Sequence, residues 1–99
     1  MSNGTATETV TKQTVKTPSM WKIILHNDDF TPMDFVTKLL VQVFHKSIEE
    51  STQIMLTVHN QGKAVVGLYT KEIALTKTSQ VMMIAEQYGH PLLCTAEEA

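Results

Sequence analysis

The chain contains no arginine; all eight of its positive charges are lysines. Arginine supplies the planar fork that grips phosphate or carboxylate through two parallel hydrogen bonds. With a formal net charge of −2 and its lysines dispersed, the sequence shows no basic stripe, so no nucleic-acid partner is expected. Cysteine is nearly absent as well: Cys94 stands alone in 99 residues. No intramolecular disulfide can form, and a reducing cytoplasm is the expected location. No apolar run approaches the roughly 18 residues that cross a bilayer, and the opening "MSNGTATETV" lacks the apolar centre of a signal peptide, so no membrane association is expected.

What is present is ordinary for one small globular domain. The hydrophobic fraction is 42%, and a chain of this length buries roughly two thirds of the surface it exposes when unfolded, enough to fold without staples. Residues 1–17, "MSNGTATETVTKQTVKT", are Thr-rich and nearly free of large apolar groups. Such a segment cannot offset its ordering entropy, and a disordered N-terminal extension is expected there. Pro18 marks the border of a core domain over 18–99.

Within that core the hydrophobic period changes repeatedly. "MWKIILH" (20–26) alternates as a strand does, with Trp21, Ile23 and Leu25 on one face and Lys22 opposite. Met33, Val36, Leu40, Val43 and Phe44 recur at helical spacing over 33–46. Thr31 is the expected N-cap of that helix, Pro32 suits its first position, and Asp34 favours the positive end of its dipole. "SIEE" restarts a helix with Ser47 and Glu50 as a capping box. Its inner stripe is read as Ile48, Met55 and Val58, with His59 one turn beyond Met55; Gly62 ends it in the left-handed conformation. "KAVVGLYT" (63–70) is a second strand. "KEIALTKTSQVMMIAEQYG" carries a third helix with Ile73, Val81, Met82 and Ala85, stopped at Gly89, and "PLLCT" is a closing strand. The expected fold is α+β, in the order β-α-α-β-α-β, with three helices packed on a small, mostly antiparallel three-stranded sheet.

One stretch carries more charge than a turn needs. "HNDDFTPMDF" (26–35) sets Asn27, Asp28 and Asp29 between a strand and a helix. Asp is a poor strand residue, and the plain reading of "NDDFTP" is a polar strand-to-helix turn in which Asp28 or Asp29 serves as a spare cap. A divalent metal held by Asp28, Asp29 and His59, as in a metal-dependent hydrolase, is the sharper alternative, although no HxH, HExxH or CxxC spacing supports it. Cys94 in the apolar "LLC" reads as an inert buried thiol rather than a nucleophile. A plain interaction module attached to the translation machinery is a third reading, disfavoured by the missing basic patch.

The motifs taken together are more specific than any one of them. "NDDFTPMDFV", "IMLTVHNQGKAVVGLYT", "EIALTK" and "HPLLCT" follow one another in this order over roughly residues 18–96, and the set closely resembles the ClpS family of adaptors for the Clp AAA+ protease. The resemblance implies a non-enzymatic, monomeric adaptor with no cofactor. It would bind substrate proteins whose first residue is large and hydrophobic (Leu, Phe, Tyr or Trp), the N-degrons, and hand them to the ClpA unfoldase for degradation by ClpAP. By the same resemblance Asn27, Asp28, Asp29 and His59 surround the substrate α-amino group. Leu25, Thr31, Met33, Val36, Met55, Val58 and Leu92 line the side-chain pocket, with Met33 as a gate against β-branched residues. Glu72 and Lys77 contact the N-terminal domain of the unfoldase, and the extension 1–17 serves delivery. Leu75 stands where the family motif usually has an acid, His26 where a strand residue is commonly apolar, and Phe30 replaces a frequent Tyr.

Overall fold

A computed structural model describes residues 19–99; the extension expected over 1–17 and its border at Pro18 lie outside the described residues. Strand β1 (Met20–His26) is central in a three-stranded sheet, with β2 (Lys63–Thr70) and β3 (Leu93–Glu98) antiparallel on either side of it. Helices α1 (Met33–Phe44) and α2 (Ile48–Gln61) connect β1 to β2, and α3 (Lys71–Gln87) connects β2 to β3. The element order is the one the hydrophobic pattern predicts, and the sheet is antiparallel throughout.

Strand alternation decides which side chains meet. Ile23 and Leu25 of β1 are fully buried, and Trp21 packs against the same cluster. Opposite them β2 contributes Ala64 and Val66, and β3 contributes Cys94 and Ala96. The register of β1 on β2 shifts between Ile23, which faces Gly67, and Ile24, which faces Val65, so Val66 is an extra residue in a bulge. The bulge resets the alternation and lets both Val66 and Tyr69 point inward. Onto this face the helices bring Val36, Leu39, Leu40, Val43 and Phe44 from α1, Val58 from α2, and Ala74, Val81 and Ala85 from α3. Each fully buried aliphatic side chain contributes about 1.5–3 kcal/mol.

Several local expectations are corrected. Pro32, not Thr31, is the N-cap of α1, with extended backbone (φ −65°, ψ 143°) and no side-chain cap; the Thr31 hydroxyl is engaged by Asp28 instead. Helix α1 stops at Phe44 rather than 46, because His45 turns left-handed (φ 57°) and Lys46 N–H returns to the Leu40 carbonyl at 3.2 Å. At α2, Ser47 Oγ accepts the Glu50 N–H at 3.0 Å, while the Glu50 carboxylate turns to Lys46 Nζ at 3.5 Å. Ile48 is 69% exposed and does not belong to the inner stripe; the buried residue of that first turn is Ser51. Ile73 and Met82 are exposed too, and the buried face of α3 is formed by the smaller Ala74, Val81 and Ala85. Strand β3 begins and ends later than "PLLCT", pairing Leu93 through Glu98 with His26 through Trp21. Cys94 is buried; its N–H donates to Met82 Sδ at 3.3 Å, and burial pushes its thiol up to about 11.

Candidate functional site

The site forms where β1 runs out. At His26 the chain leaves the sheet, and the N–H of Asn27 donates to the Gly62 carbonyl at 2.8 Å. Gly62 itself closes α2: at φ 93°, a conformation that suits glycine, its N–H reaches the Val58 carbonyl at 3.0 Å. One backbone bond thus pins the β1–α1 loop to the C-terminal end of α2. It brings Asn27 beside His59, which lies in the last turn of that helix.

Asp28 then fixes the loop. Its Oδ1 accepts the N–H of Phe30 at 2.8 Å and of Thr31 at 2.7 Å, and its Oδ2 accepts the Thr31 hydroxyl at 2.7 Å. This Asx-type clasp answers the question of why Asp stands here: the side chain takes up donors that a strand or helix would otherwise engage. Partial burial pushes the Asp28 carboxyl up. The Thr31 hydroxyl, the Thr31 and Phe30 N–H groups and the positive field of His90 together outweigh that, holding it below its ordinary 3.8. A carboxylate has about four acceptor positions. Three are used, and one on Oδ2 remains for a ligand.

Next to the clasp is a cavity with a polar end and an apolar floor. His26, Asn27, Asp28 and His59 form the polar end with Thr31; Met33, Val36, Met55, Val58 and Leu92 form the rest. The space a water can enter is about 10 Å³, whereas all unfilled space up to the atom surfaces, mouth included, is about 260 Å³. The first figure describes the interior as it stands, room for about one water; the second includes open solvent. Met33, 43% exposed, and the half-buried Met55 are unbranched thioethers on the wall, the side-chain type that repacks most readily.

Of the residues singled out from the sequence, Asn27, Asp28, His59, Thr31, Met33, Val36, Met55, Val58 and Leu92 come together on this cavity. Leu25 and Asp29 do not. Leu25 follows the odd-numbered alternation of β1 into the core, where it is fully buried. Asp29 is exposed, because the clasp turns its neighbour inward and leaves it on the outside of the loop. His26, passed over as a departure from an apolar position, lines the cavity, and its Nε2 is 2.8 Å from Thr95 Oγ1 on β3. Its signal was available: a polar ring at the last strand position before a charged loop. Elsewhere, Glu72 is exposed in the first turn of α3. Lys77, half-buried, donates from Nζ to the Val43 carbonyl at 2.8 Å and sits 5.7 Å from the Phe44 ring centroid. Among the described residues no three His, Cys, Asp or Glu side chains converge to hold a metal ion, so Asp28, Asp29 and His59 are not a ligand set.

The ClpS family, described as "ATP-dependent Clp protease adaptor protein ClpS", matches residues 16–95. The chain belongs to the ClpS family. Among curated relatives, the ATP-dependent Clp protease adapter protein ClpS of Ralstonia pickettii is 56% identical over 88 residues, 89% of this chain and 82% of that protein. The ClpS of Vibrio cholerae serotype O1 is 52% identical over 88 residues, covering 89% of this chain and 83% of its own. Among solved structures, Agrobacterium tumefaciens ClpS2 bound to L-phenylalaninamide superposes with a TM-score of 0.82 at 37% identity, over 84% of this chain and all of that one (100%). As a ClpS protein, this chain is an adaptor of the Clp protease system and not an enzyme. Among the described residues no helix is long and apolar enough to cross a membrane.

Proposed function

We propose that this adaptor binds proteins through an exposed N-terminal residue that is large and hydrophobic (Leu, Phe, Tyr or Trp) and delivers them to the ClpA unfoldase for degradation by ClpAP. The observation that carries the reading is the cavity's division into a polar end and an apolar floor. A free N-terminus is an ammonium with three donors and no acceptor. Asn27, His59 and the remaining acceptor position on Asp28 Oδ2 offer it partners, and the first side chain extends onto Met33, Val36, Met55, Val58 and Leu92. Asp29 acts from outside the cavity through its charge. That a solved relative holds L-phenylalaninamide, an aromatic side chain beside a free amine, supports the same chemistry.

Binding needs the methionines to yield, since the resting interior holds about one water. Burial of a Leu or Phe side chain then contributes about 1.5–3 kcal/mol, and each hydrogen bond to the ammonium contributes about 1.5–3 kcal/mol. Branching at Cβ adds bulk where Met33 stands at the mouth, so Ile and Val are rejected. In this reading Glu72 faces the N-terminal domain of the unfoldase, Lys77 supports that surface, and residues 1–17 engage the unfoldase during delivery. The protein acts as a monomer in the cytoplasm.

Calorimetric titration with Phe-, Ile- and acetyl-Phe-initiated peptides is the test. Only the free Phe peptide binds tightly, and Met33→Ala admits Ile while weakening Phe modestly. Equal affinity for the acetylated peptide would overturn the amine reading. Turnover of a Phe-initiated reporter by ClpAP, compared between the full chain and one starting at Pro18, tests the delivery role of residues 1–17.

A further inference from the structure

Beside the first cavity lies a second, wider depression that the N-terminal residue leaves empty. It is an open space of about 690 Å³ lined by Phe30, Met82, Glu86, Pro91 and Leu92, with Gly89 and His90 at its edge. Two of its features are unusual. Phe30 is 78% exposed and lines the depression together with Met82, Pro91 and Leu92, so it belongs to an apolar patch rather than standing alone. Its backbone is held in place, because its own N–H is one arm of the Asp28 clasp. Met82, an unbranched thioether, is exposed across from it. The loop that orders the polar end of the first cavity therefore also presents an apolar wall outward.

Leu92 connects the two spaces. Buried to 3% exposure, it lines the first cavity and the depression alike, so one leucine side chain separates them. In an extended polypeptide alternate side chains share a face, and their Cα atoms are about 6.6–7 Å apart. A chain whose first side chain enters the first cavity and which then runs past Leu92 brings its third side chain to the depression, while its second points away. We infer that this depression is a second subsite of the adaptor, which receives the third side chain of the bound N-terminus and favours a large apolar one. The inference rests on the function proposed above and deepens it: selection reads the first and third residues, one enclosed and one on an open aromatic shelf. Because the shelf stays half in solvent, its contribution is a fraction of the first pocket's.

The test uses the full chain and peptides Phe-Ser-X-Ser-Gly-Lys with X Leu, Phe or Ser, together with Phe-Leu-Ser-Ser-Gly-Lys, titrated by calorimetry. Binding of the X = Ser peptide reports the first cavity alone; its absence would count against the proposed function and not against the subsite. Given that binding, Leu or Phe at position three tightens affinity roughly three- to tenfold over Ser, and Leu at position two does not. In Phe30→Ser, which changes an exposed side chain and keeps the backbone clasp, the Leu-to-Ser ratio at position three falls towards one. The ratio cancels any general change in affinity. A ratio within twofold in the unaltered protein, an equal gain from position two, or a ratio that survives Phe30→Ser would each overturn the subsite.

Discussion

The loop at 27–31 and the surface around the start of α3 were each expected to meet a partner through charged side chains, and they solve the same problem in parallel ways. In the loop, Asp28 is engaged by two backbone N–H groups and a hydroxyl, while its neighbour Asp29 is left exposed. On the other surface, the Lys77 ammonium is engaged by the Val43 carbonyl near the end of α1, while Glu72 is left exposed. Each region divides the labour between one charge that holds the backbone and one that faces outward. They differ in what the holding residue keeps in reserve. Asp28 retains an acceptor position next to the cavity. Lys77 satisfies a carbonyl of the kind that helix ends leave without an intrahelical donor, places its charge at the favourable pole of α1, and rests on Phe44. A charge at a functional surface is therefore not by itself a contact residue.

That comparison is open to direct attack. The largest effect is expected from Asp28→Ala: three hydrogen bonds to a charged group are lost, and stability falls by about 2 kcal/mol. Affinity for a Phe-initiated peptide falls more than tenfold as the loop relaxes. Urea melts and calorimetry read both, and an unchanged affinity would reduce Asp28 to a clasp with no reserve. The same residue makes a pH signature. Its folded carboxyl lies below the ordinary 3.8, so its stabilisation is complete above that value and is lost as pH falls through the lower folded one. The stability gap between the unaltered protein and Asp28→Asn should shrink as pH drops below about 4. A gap that widens there would contradict the direction.

A smaller loss follows Lys77→Met, which keeps the packing stem and deletes the donor. Stability should fall by about 0.5–1.5 kcal/mol, the usual scale for one hydrogen bond, with Phe-peptide affinity unmoved. If the melt is unchanged while unfoldase binding collapses, Lys77 is a contact residue and the parallel fails. Glu72→Ala should do the opposite, shifting stability by less than about 0.5 kcal/mol while weakening capture of the unfoldase's N-terminal domain. Least of all is expected from Asp29→Asn: an exposed charge outside the cavity contributes about 0.2–1 kcal/mol to an ionic interaction. Its effect on Phe-peptide affinity should stay within about fivefold and disappear in high salt.

The sequence made the framework legible because its signals are local. The alternation of Trp21, Ile23 and Leu25, the Ser47 cap and the left-handed stop at Gly62 each depend on residues within a few positions of one another. The element order follows from these alone. What it hid depends on competition or on distance. Thr31 has a capping residue's chemistry, yet Asp28 three positions earlier takes its hydroxyl. Ile48 and Ile73 fit a helical stripe by spacing, but each lies on the outer side of its first turn, where Ser51 and Ala74 are the buried residues. Most of the cavity was named through motifs, while Leu25 was misplaced because β1's alternation sends it into the core. The Asn27–Gly62 bond that assembles the polar end joins segments far apart in the chain. No local pattern announces such a bond.

The lone thiol gives this adaptor a built-in clock. Cys94 belongs to β3 and turns its side chain into the core, its backbone is tethered to Met82, and its folded environment suppresses the reactive thiolate. A thiol reagent reaches it when β3 parts from the helix α3 that packs on it or from β1, so the labelling rate meters local opening around this strand, one event per molecule and with no second cysteine to confuse it. His26, which lines the cavity, is 2.8 Å from Thr95 Oγ1, so β3 is coupled to the site through that one contact. A bound N-terminus that braces His26 would slow the clock, and the slowing would report occupancy without any label on the substrate.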